Sequence, residues 1–353
     1  MKNIFNRSSL NPILPPTSEW WKVYNPGAVL DEQGIIHLYP RVVKKEEDWH
    51  SRIAHATSTD GEHFTWDSNL ILERENSFEK RGLEDPRVVE IDSTYYMAYA
   101  AYDGKHVQLH TAIATNPYGP WQRQGEALPG FNFFAHGAKM VKWEHGKPVE
   151  KTVTKRGEYW SKSGTYFPQK INDEYVMLFG EYYMWLATSQ DGITFHSDEK
   201  PFITPRKGTK YFDNTFIETG PQPILTEKGW LVLYHGIDEA FRYQLGFMIL
   251  DKDNPRNILY RSDESIFGPQ EDYEVGDALI DVIPGGVDAM STMDDNELKS
   301  FYKKARDENI MPQVTFCPGI IVQDGIVRIY YGAGDTSICT AWARLEDILK
   351  LVA

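Results

Sequence analysis

Between residues 82 and 88 the chain reads Gly82-Leu83-Glu84-Asp85-Pro86-Arg87-Val88, and the strand-like Val88-Val89-Glu90-Ile91 follows. Two adjacent carboxylates stand beside a proline and an arginine. Carboxylates do general acid and base chemistry when a stiff element holds them. Pro86 fixes its own φ and restricts the residue before it, which predicts an extended Asp85 at the mouth of a strand. A loop carboxylate paired with Arg87 for purely structural reasons fits this segment equally well.

The elements that must position such a residue are strands. Ile35–Val42, Thr94–Tyr102, Tyr175–Phe179, Trp230–His235 and Ile326–Tyr331 are rich in β-branched and aromatic residues, and most follow a turn cluster. Ala56-Thr57-Ser58-Thr59-Asp60-Gly61-Glu62-His63-Phe64 repeats as Ala187-Thr188-Ser189-Gln190-Asp191-Gly192-Ile193-Thr194-Phe195, each a strand, an Asp-Gly turn and a strand. Ala112–Trp121 is a looser third copy. Repeated hairpin units predict an all-β fold of radial blades, a five-bladed β-propeller forming a single domain over 1–353. A two-domain β-sandwich protein is the alternative. Asp294–Arg306 opens with acids and closes with basic residues, which predicts a short helical insertion near 294–307.

In a propeller the ligand site is the axial mouth, where strand ends converge. A polar residue follows an apolar strand in almost every expected blade: Asn25, Arg41, Arg52, Glu84, Asp85, Arg87, Lys162, Glu181, Glu218, His235, Asp238 and Asp335. Aromatics are 13% of the chain, with ten Trp and twenty Tyr. Flat rings suit sugar stacking, although strands carry many aromatics for packing alone. Trp20, Trp21, Tyr182, Tyr183 and Trp185 adjoin candidate site residues, and at least one is expected against a sugar ring.

Composition excludes several classes. Against 37 Lys and Arg stand 51 Asp and Glu, a formal charge of -14, so nucleic acid and anionic membranes are not expected partners. No run reaches the roughly 18 apolar residues of a membrane span. The N-terminal stretch has no signal-peptide h-region, and a cytoplasmic location is the expectation. Cys317 and Cys339 imply no disulfide framework. His55 and His63 lie eight apart across a hairpin and no Cys/His cluster has ligand spacing, so no metal and no cofactor is expected. Neither a Gly-x-Ser-x-Gly elbow nor a phosphate-cradling glycine loop occurs. Several carboxylates with aromatics point to glycosyl transfer, in which one acid protonates the departing oxygen and another activates the nucleophile.

Gly82–Arg87, Phe167-Pro168-Gln169-Lys170-Ile171-Asn172, Gly229–Gly236, Arg242-Tyr243 before Gly246, and Tyr330–Thr336 together resemble glycoside hydrolase family 130. The resemblance runs in order from about Asn25 to Ile348. It implies a five-bladed propeller that cleaves β-mannosides with inversion, by phosphorolysis in some members and hydrolysis in others. It places Asp85 on the catalytic acid, which is thought to relay its proton through the mannose 3-hydroxyl. Asn25, Arg41, Glu84, Arg87, Lys162, His235 and Asp335 fall on or beside positions lining the sugar or the nucleophile.

Two departures from the phosphorylase pattern bear on the nucleophile. Phe179-Gly180-Glu181 stands where phosphorylases carry a His-Arg pair, and Glu218-Thr219-Gly220 stands where they carry Gly-Ala-Gly. Phosphate needs fixed cations, and two acids oppose a dianion. Water needs a carboxylate to take its proton. The resemblance therefore implies a β-1,2-mannosidase-like hydrolase in which Glu181 and Glu218 hold the water. One or both glutamates binding sugar hydroxyls only is the plainer alternative. Arg52, Lys162, His235 and Tyr243 form a residual candidate anion site, which keeps phosphorolysis as an alternative, and a non-catalytic sugar-binding propeller is a third. β-1,4-mannosyl substrates are the alternative linkage.

Overall fold

A computed structural model describes residues 1–44, 50–144, 147–152, 160–240, 242–275 and 313–352. The helix expected near 294–307 lies outside these. Among the described residues α-helix is confined to Asp272–Val275 and Leu345–Leu349, and strand dominates. The expected strands are present, as Ile36–Val43, Thr94–Tyr102, Tyr175–Phe179, Gly229–Ile237 and Ile326–Ala333. The two hairpin copies share one turn. Ser58 Oγ accepts from Gly61 N–H at 2.9 Å and Ser189 Oγ accepts from Gly192 N–H at 3.0 Å, while Asp60 and Asp191 each take the next two amides. No described helix is long and apolar enough to cross a membrane.

The strands run as antiparallel meanders. Lys22–Leu30 leads into one, Gly82–Ile91 into the next, and the two are joined by a single parallel bridge between Ser51 and Gly82. Thr165–Tyr166, Phe216–Thr219 and Thr315–Gln323 lead the following three. The N-terminal Asn6–Arg7 strand adds to the outer edge of the last, pairing with Trp342 and Ala341.

Each leading strand carries, at or just after it, an X-Pro pair: Asn25-Pro26, Asp85-Pro86, Phe167-Pro168, Gly220-Pro221 and Cys317-Pro318. In three of them the register shifts across the proline, between Tyr24 and Gly27, Glu84 and Arg87, and Phe316 and Gly319. Proline has no N–H for the ladder, so the strand must bulge there. The expected extended backbone at Asp85 is not found. Its φ is 49° and that of Asn25 is 45°, both left-handed. Pro86 disfavours the right-handed helical region, the bulge demands a sharp local turn, and Asp and Asn tolerate the left-handed well better than most residues. The adjacent Gly27 is a close approach: a Cβ there would lie 2.7 Å from Pro86 O on the neighbouring leading strand.

The apolar clusters explain why the strands lack a clean polar face. Val88, Tyr95, Met97 and Tyr99 pack toward Tyr39 and Ile53, whereas Val89, Tyr96 and Ala98 pack toward Tyr166, Met177 and Trp185. Alternate residues thus enter different cores, and both faces are buried. The sequence of clusters continues from the third meander to the fourth, from the fourth to the fifth, and from Ile321, Tyr330 and Ile338 of the fifth back to Val23, Ala28 and Leu38 of the first.

Two buried side chains tie leading strands together by their backbones. Arg87 donates to Asp85 O at 2.9 Å, Thr219 O at 2.8 Å and Gly220 O at 3.3 Å. His235 Nδ1 lies 3.2 Å from Thr219 O, and its Nε2 accepts from Cys317 N–H at 2.8 Å. That pair of contacts fixes the neutral Nδ1–H tautomer. Burial, reinforced by Arg87, pushes His235 down to about 3, and burial pushes His110 down to about 4. Unfolded histidines bind protons below about 6.5, so stability from these two is complete above that pH and declines as pH falls toward their folded values. Between pH 6.5 and 5, where ordinary carboxylates barely titrate, the loss should be roughly 1.5 kcal/mol per histidine. Denaturant melts at both pH values should show it, with a shallower decline in His235→Gln; an unchanged decline would reject His235 as a source.

Candidate active site

Asp85 is buried at its bulge, and Asn25 reaches it from the equivalent bulge of the preceding leading strand. Asn25 Nδ2 donates to Asp85 Oδ1 at 2.8 Å, and Arg41 Nη1 lies 3.2 Å from the same oxygen. Arg41 Nη2 holds Glu84 at 2.7 Å. Arg41 therefore spans both acids of the Glu84-Asp85 pair. Burial drives the Asp85 carboxyl up, but Arg41, Lys162, Arg87 and the Asn25 hydrogen bond together outweigh it and hold Asp85 below the ordinary carboxylate value. Asp335, with a left-handed φ of 47°, is pushed up by burial and by the Asp85 charge, against Lys22 and Arg41. Lys22 Nζ donates to Asp335 O at 2.8 Å, and burial lowers its ammonium to about 8.

A second acidic group is built on the fourth leading strand. Gly180, with φ 131°, lets the chain leave its own sheet, so that Glu181–Tyr182 pairs with the next strand and Glu181 stands directly opposite Glu218. A Cβ at Gly180 would lie 2.2 Å from Tyr183 O, and only glycine fits that crossing. Lys162 Nζ lies 3.5 Å from Glu218 Oε1 and 3.9 Å from Glu181 Oε1. Burial opposes the Lys162 ammonium, but Glu181, Glu218, Asp85 and Glu84 raise it well above its ordinary value. Ser163 Oγ donates to Glu218 Oε1, and Tyr243 OH lies 3.5 Å from Glu218 Oε2. Trp160 Nε1 points at Glu181 Oε2 from 3.5 Å.

The structure thus brings Asn25, Arg41, Glu84 and Asp85 into one contact group and Lys162, Glu181, Glu218 and Tyr243 into another, with Arg87 linking their strands. Arg87 and His235 spend their polar atoms on backbone, which suits positioning rather than ligand contact. Arg52 is held by Glu73 at 2.7 Å and by His50 O at 3.3 Å. Asp238 takes Arg242 at 2.8 Å. His55 Nε2 lies 3.0 Å from His37 Nδ1, whereas His63 is exposed on Asp60; among the described residues no group of three His, Cys, Asp or Glu could hold a metal. Of the aromatic candidates, Trp185 is fully buried against Phe133 and Trp20 sits in an apolar cluster, so neither is a wall. Tyr182, at φ 68°, packs beside Phe134 and Phe216 next to the glutamates.

Sequence reasoning missed Tyr24, Trp160 and Ser163. Tyr24 OH is buried with no hydrogen-bond partner while Arg41 lies 4.9 Å over its ring. Tyr24 and Ser163 each adjoin a candidate site residue, Asn25 and Lys162, and that adjacency is their one sequence signal. Trp160 had no such signal.

The cations hold Asp85 below the ordinary carboxylate value, so a step needing its proton loses rate as pH rises. Arg41 is the strongest of those cations. Arg41→Gln should move the basic limb of kcat/KM to higher pH, because losing a cation raises the carboxyl. A limb that stays in place would remove Asp85 as its source.

Comparison with known proteins supplies the family. A family profile described as β-1,4-mannooligosaccharide phosphorylase matches residues 4–302. A 1,2-β-oligomannan phosphorylase of Thermoanaerobacter sp. (strain X514) is 29% identical over 97% of this chain and 98% of its own. The β-1,2-mannobiose phosphorylase of Listeria innocua, solved with β-1,2-mannobiose, superposes with a TM-score of 0.73 at 22% identity over 99% of both chains. Another solved structure, from work describing glycoside hydrolases within this phosphorylase family that target β-1,2 linkages in Candida mannan, gives 0.73 at 23% identity over 98% and 95%. With the profile covering most of its length, the chain belongs to glycoside hydrolase family 130.

Proposed function

We propose that this protein is an inverting glycosidase that releases mannose from β-mannosides, in particular β-1,2-linked manno-oligosaccharides. The similarity to a 1,2-β-oligomannan phosphorylase and a β-1,2-mannobiose phosphorylase supports the β-1,2 linkage. The observation that carries hydrolysis is the in-register pair Glu181 and Glu218 around Lys162. Water oxygen attacks C1 from the α face and loses a proton to this pair. The C1–O bond breaks, and the leaving oxygen takes its proton from Asp85, directly or through a sugar hydroxyl. Glu84, Asn25, Arg41 and Asp335 are the residues on hand for sugar hydroxyls.

The cations around the site argue against a phosphate nucleophile. Arg41 is spent on Glu84 and Asp85, Arg87 on carbonyls, Arg52 on Glu73, and His235 is neutral with both nitrogens engaged. Lys162 stands between two carboxylates, and a dianion beside it would meet both. Phosphorolysis is the second reading, and the relatives' names favour it. We also read the fold as a single five-bladed propeller over 1–353; the five X-Pro pairs and the cycle of apolar clusters support that count.

Incubation with β-1,2-mannobiose, with and without phosphate, separates the two readings. Mannose alone, at a rate indifferent to phosphate, is expected; mannose 1-phosphate as the main product would make the enzyme a phosphorylase. Asp85→Asn should reduce turnover at least ~100-fold. Near-native turnover by that variant would end the acid assignment.

A further inference from the structure

Resting on the hydrolytic reading, we propose that Ser163 is a positioning residue that turns the Glu218 carboxylate, so that Glu218 takes the water's proton on Oε2 and Glu181 orients the water. Ser163 has φ 57°, a left-handed conformation that a serine adopts at some cost. It follows Lys162 directly, so one short segment delivers a hydroxyl and an ammonium to a single oxygen. Glu218 Oε1 receives the Ser163 hydroxyl and lies 3.5 Å from Lys162 Nζ.

A carboxylate has about four acceptor sites, two on each oxygen. Ser163 takes one of those of Oε1, and the Lys162 ammonium stands 3.5 Å from the same oxygen. Tyr243 OH, at 3.5 Å, faces Oε2 and leaves one site there. The carboxylate has no freedom to present Oε1 instead, because its side chain is only 1% exposed. One acceptor position of fixed direction is what a general base for a single water requires. Glu181 is differently placed: its carboxylate is 15% exposed, its Oε1 lies 3.9 Å from Lys162 and its Oε2 faces the Trp160 indole N–H at 3.5 Å. It shares the ammonium from the more open side, a position suited to holding a water against Glu218.

Ser163→Ala should lower kcat on β-1,2-mannobiose about tenfold or more, the scale for losing a hydrogen bond to a charged group, with KM changed less than about threefold. Ser163→Gly, which accepts the left-handed backbone but lacks the hydroxyl, should lose kcat to the same extent as Ser163→Ala, with KM again little changed. A second measurement does not depend on either serine variant folding. In Glu218→Ala the lost base leaves room for azide, which attacks C1 from the α face as the C1–O bond breaks and the leaving oxygen is protonated. That variant should regain turnover in azide and yield α-mannosyl azide, and Glu181→Ala should regain much less. Native kcat in Ser163→Ala, a change in KM alone, or azide rescue confined to Glu181→Ala would each overturn the proposal. Mannose 1-phosphate from the unmodified enzyme would instead overturn the hydrolytic reading beneath it.

Discussion

The buried guanidinium of Arg87 is the interaction on which the centre of the molecule depends. Three backbone carbonyls accept from it, one at Asp85 and two beside Glu218, so a single side chain fixes the separation of the strands that carry the acid and the glutamates. A charge buried this deeply is tolerated only when hydrogen-bonded and electrically balanced. Burial pulls the Arg87 guanidinium down, and the nearby Asp85 and Glu218 carboxylates oppose that pull. The acids that serve the proposed chemistry thus also balance the cation that holds the scaffold. Hydrogen bonds to a charged group contribute about 1.5–3 kcal/mol each, so the link is worth a sizeable part of a domain's net stability.

Around that link the site divides its charges by location. Arg41 and Asn25 face Asp85, while Lys162 and Ser163 face Glu218. Each acid has a cation and a neutral donor of its own in contact, while the Lys162 charge also acts on Asp85. Inverting chemistry asks for that arrangement, because one carboxyl must give a proton while another accepts one across the sugar ring. His235 is stacked 4.4 Å from Phe316 and locked as the neutral tautomer between two strands.

Much of this was legible in the sequence for reasons that are local. Strand composition and Asp-Gly turns specify hairpins whatever surrounds them, and those elements are present with shifts of a residue or two at their ends. Glu84, Asp85 and Arg87 stood out because carboxylates, proline and arginine in seven residues are chemically loaded. The X-Pro repeat was also in the sequence. Its spacing is uneven, and the bulges at three of the five give it meaning only in the folded chain. Asp85 was expected to be extended from a rule about isolated X-Pro peptides, and the bulge overrode it.

The sequence by itself determined the all-β character, the hairpin turns, the acidic balance and the identity of the central carboxylates. Only the tertiary structure decided which of the strand-end residues meet. Asn25 and Asp85 are 60 positions apart and Ser163 and Glu218 are 55, yet both pairs are in contact. Arg52 and His235 read alike as members of a candidate anion site, and folding gave them Glu73 and a neutral tautomer respectively. The physical reason is that a side chain's charge and reach are written in its type, whereas its partners depend on how neighbouring meanders pack around Arg87.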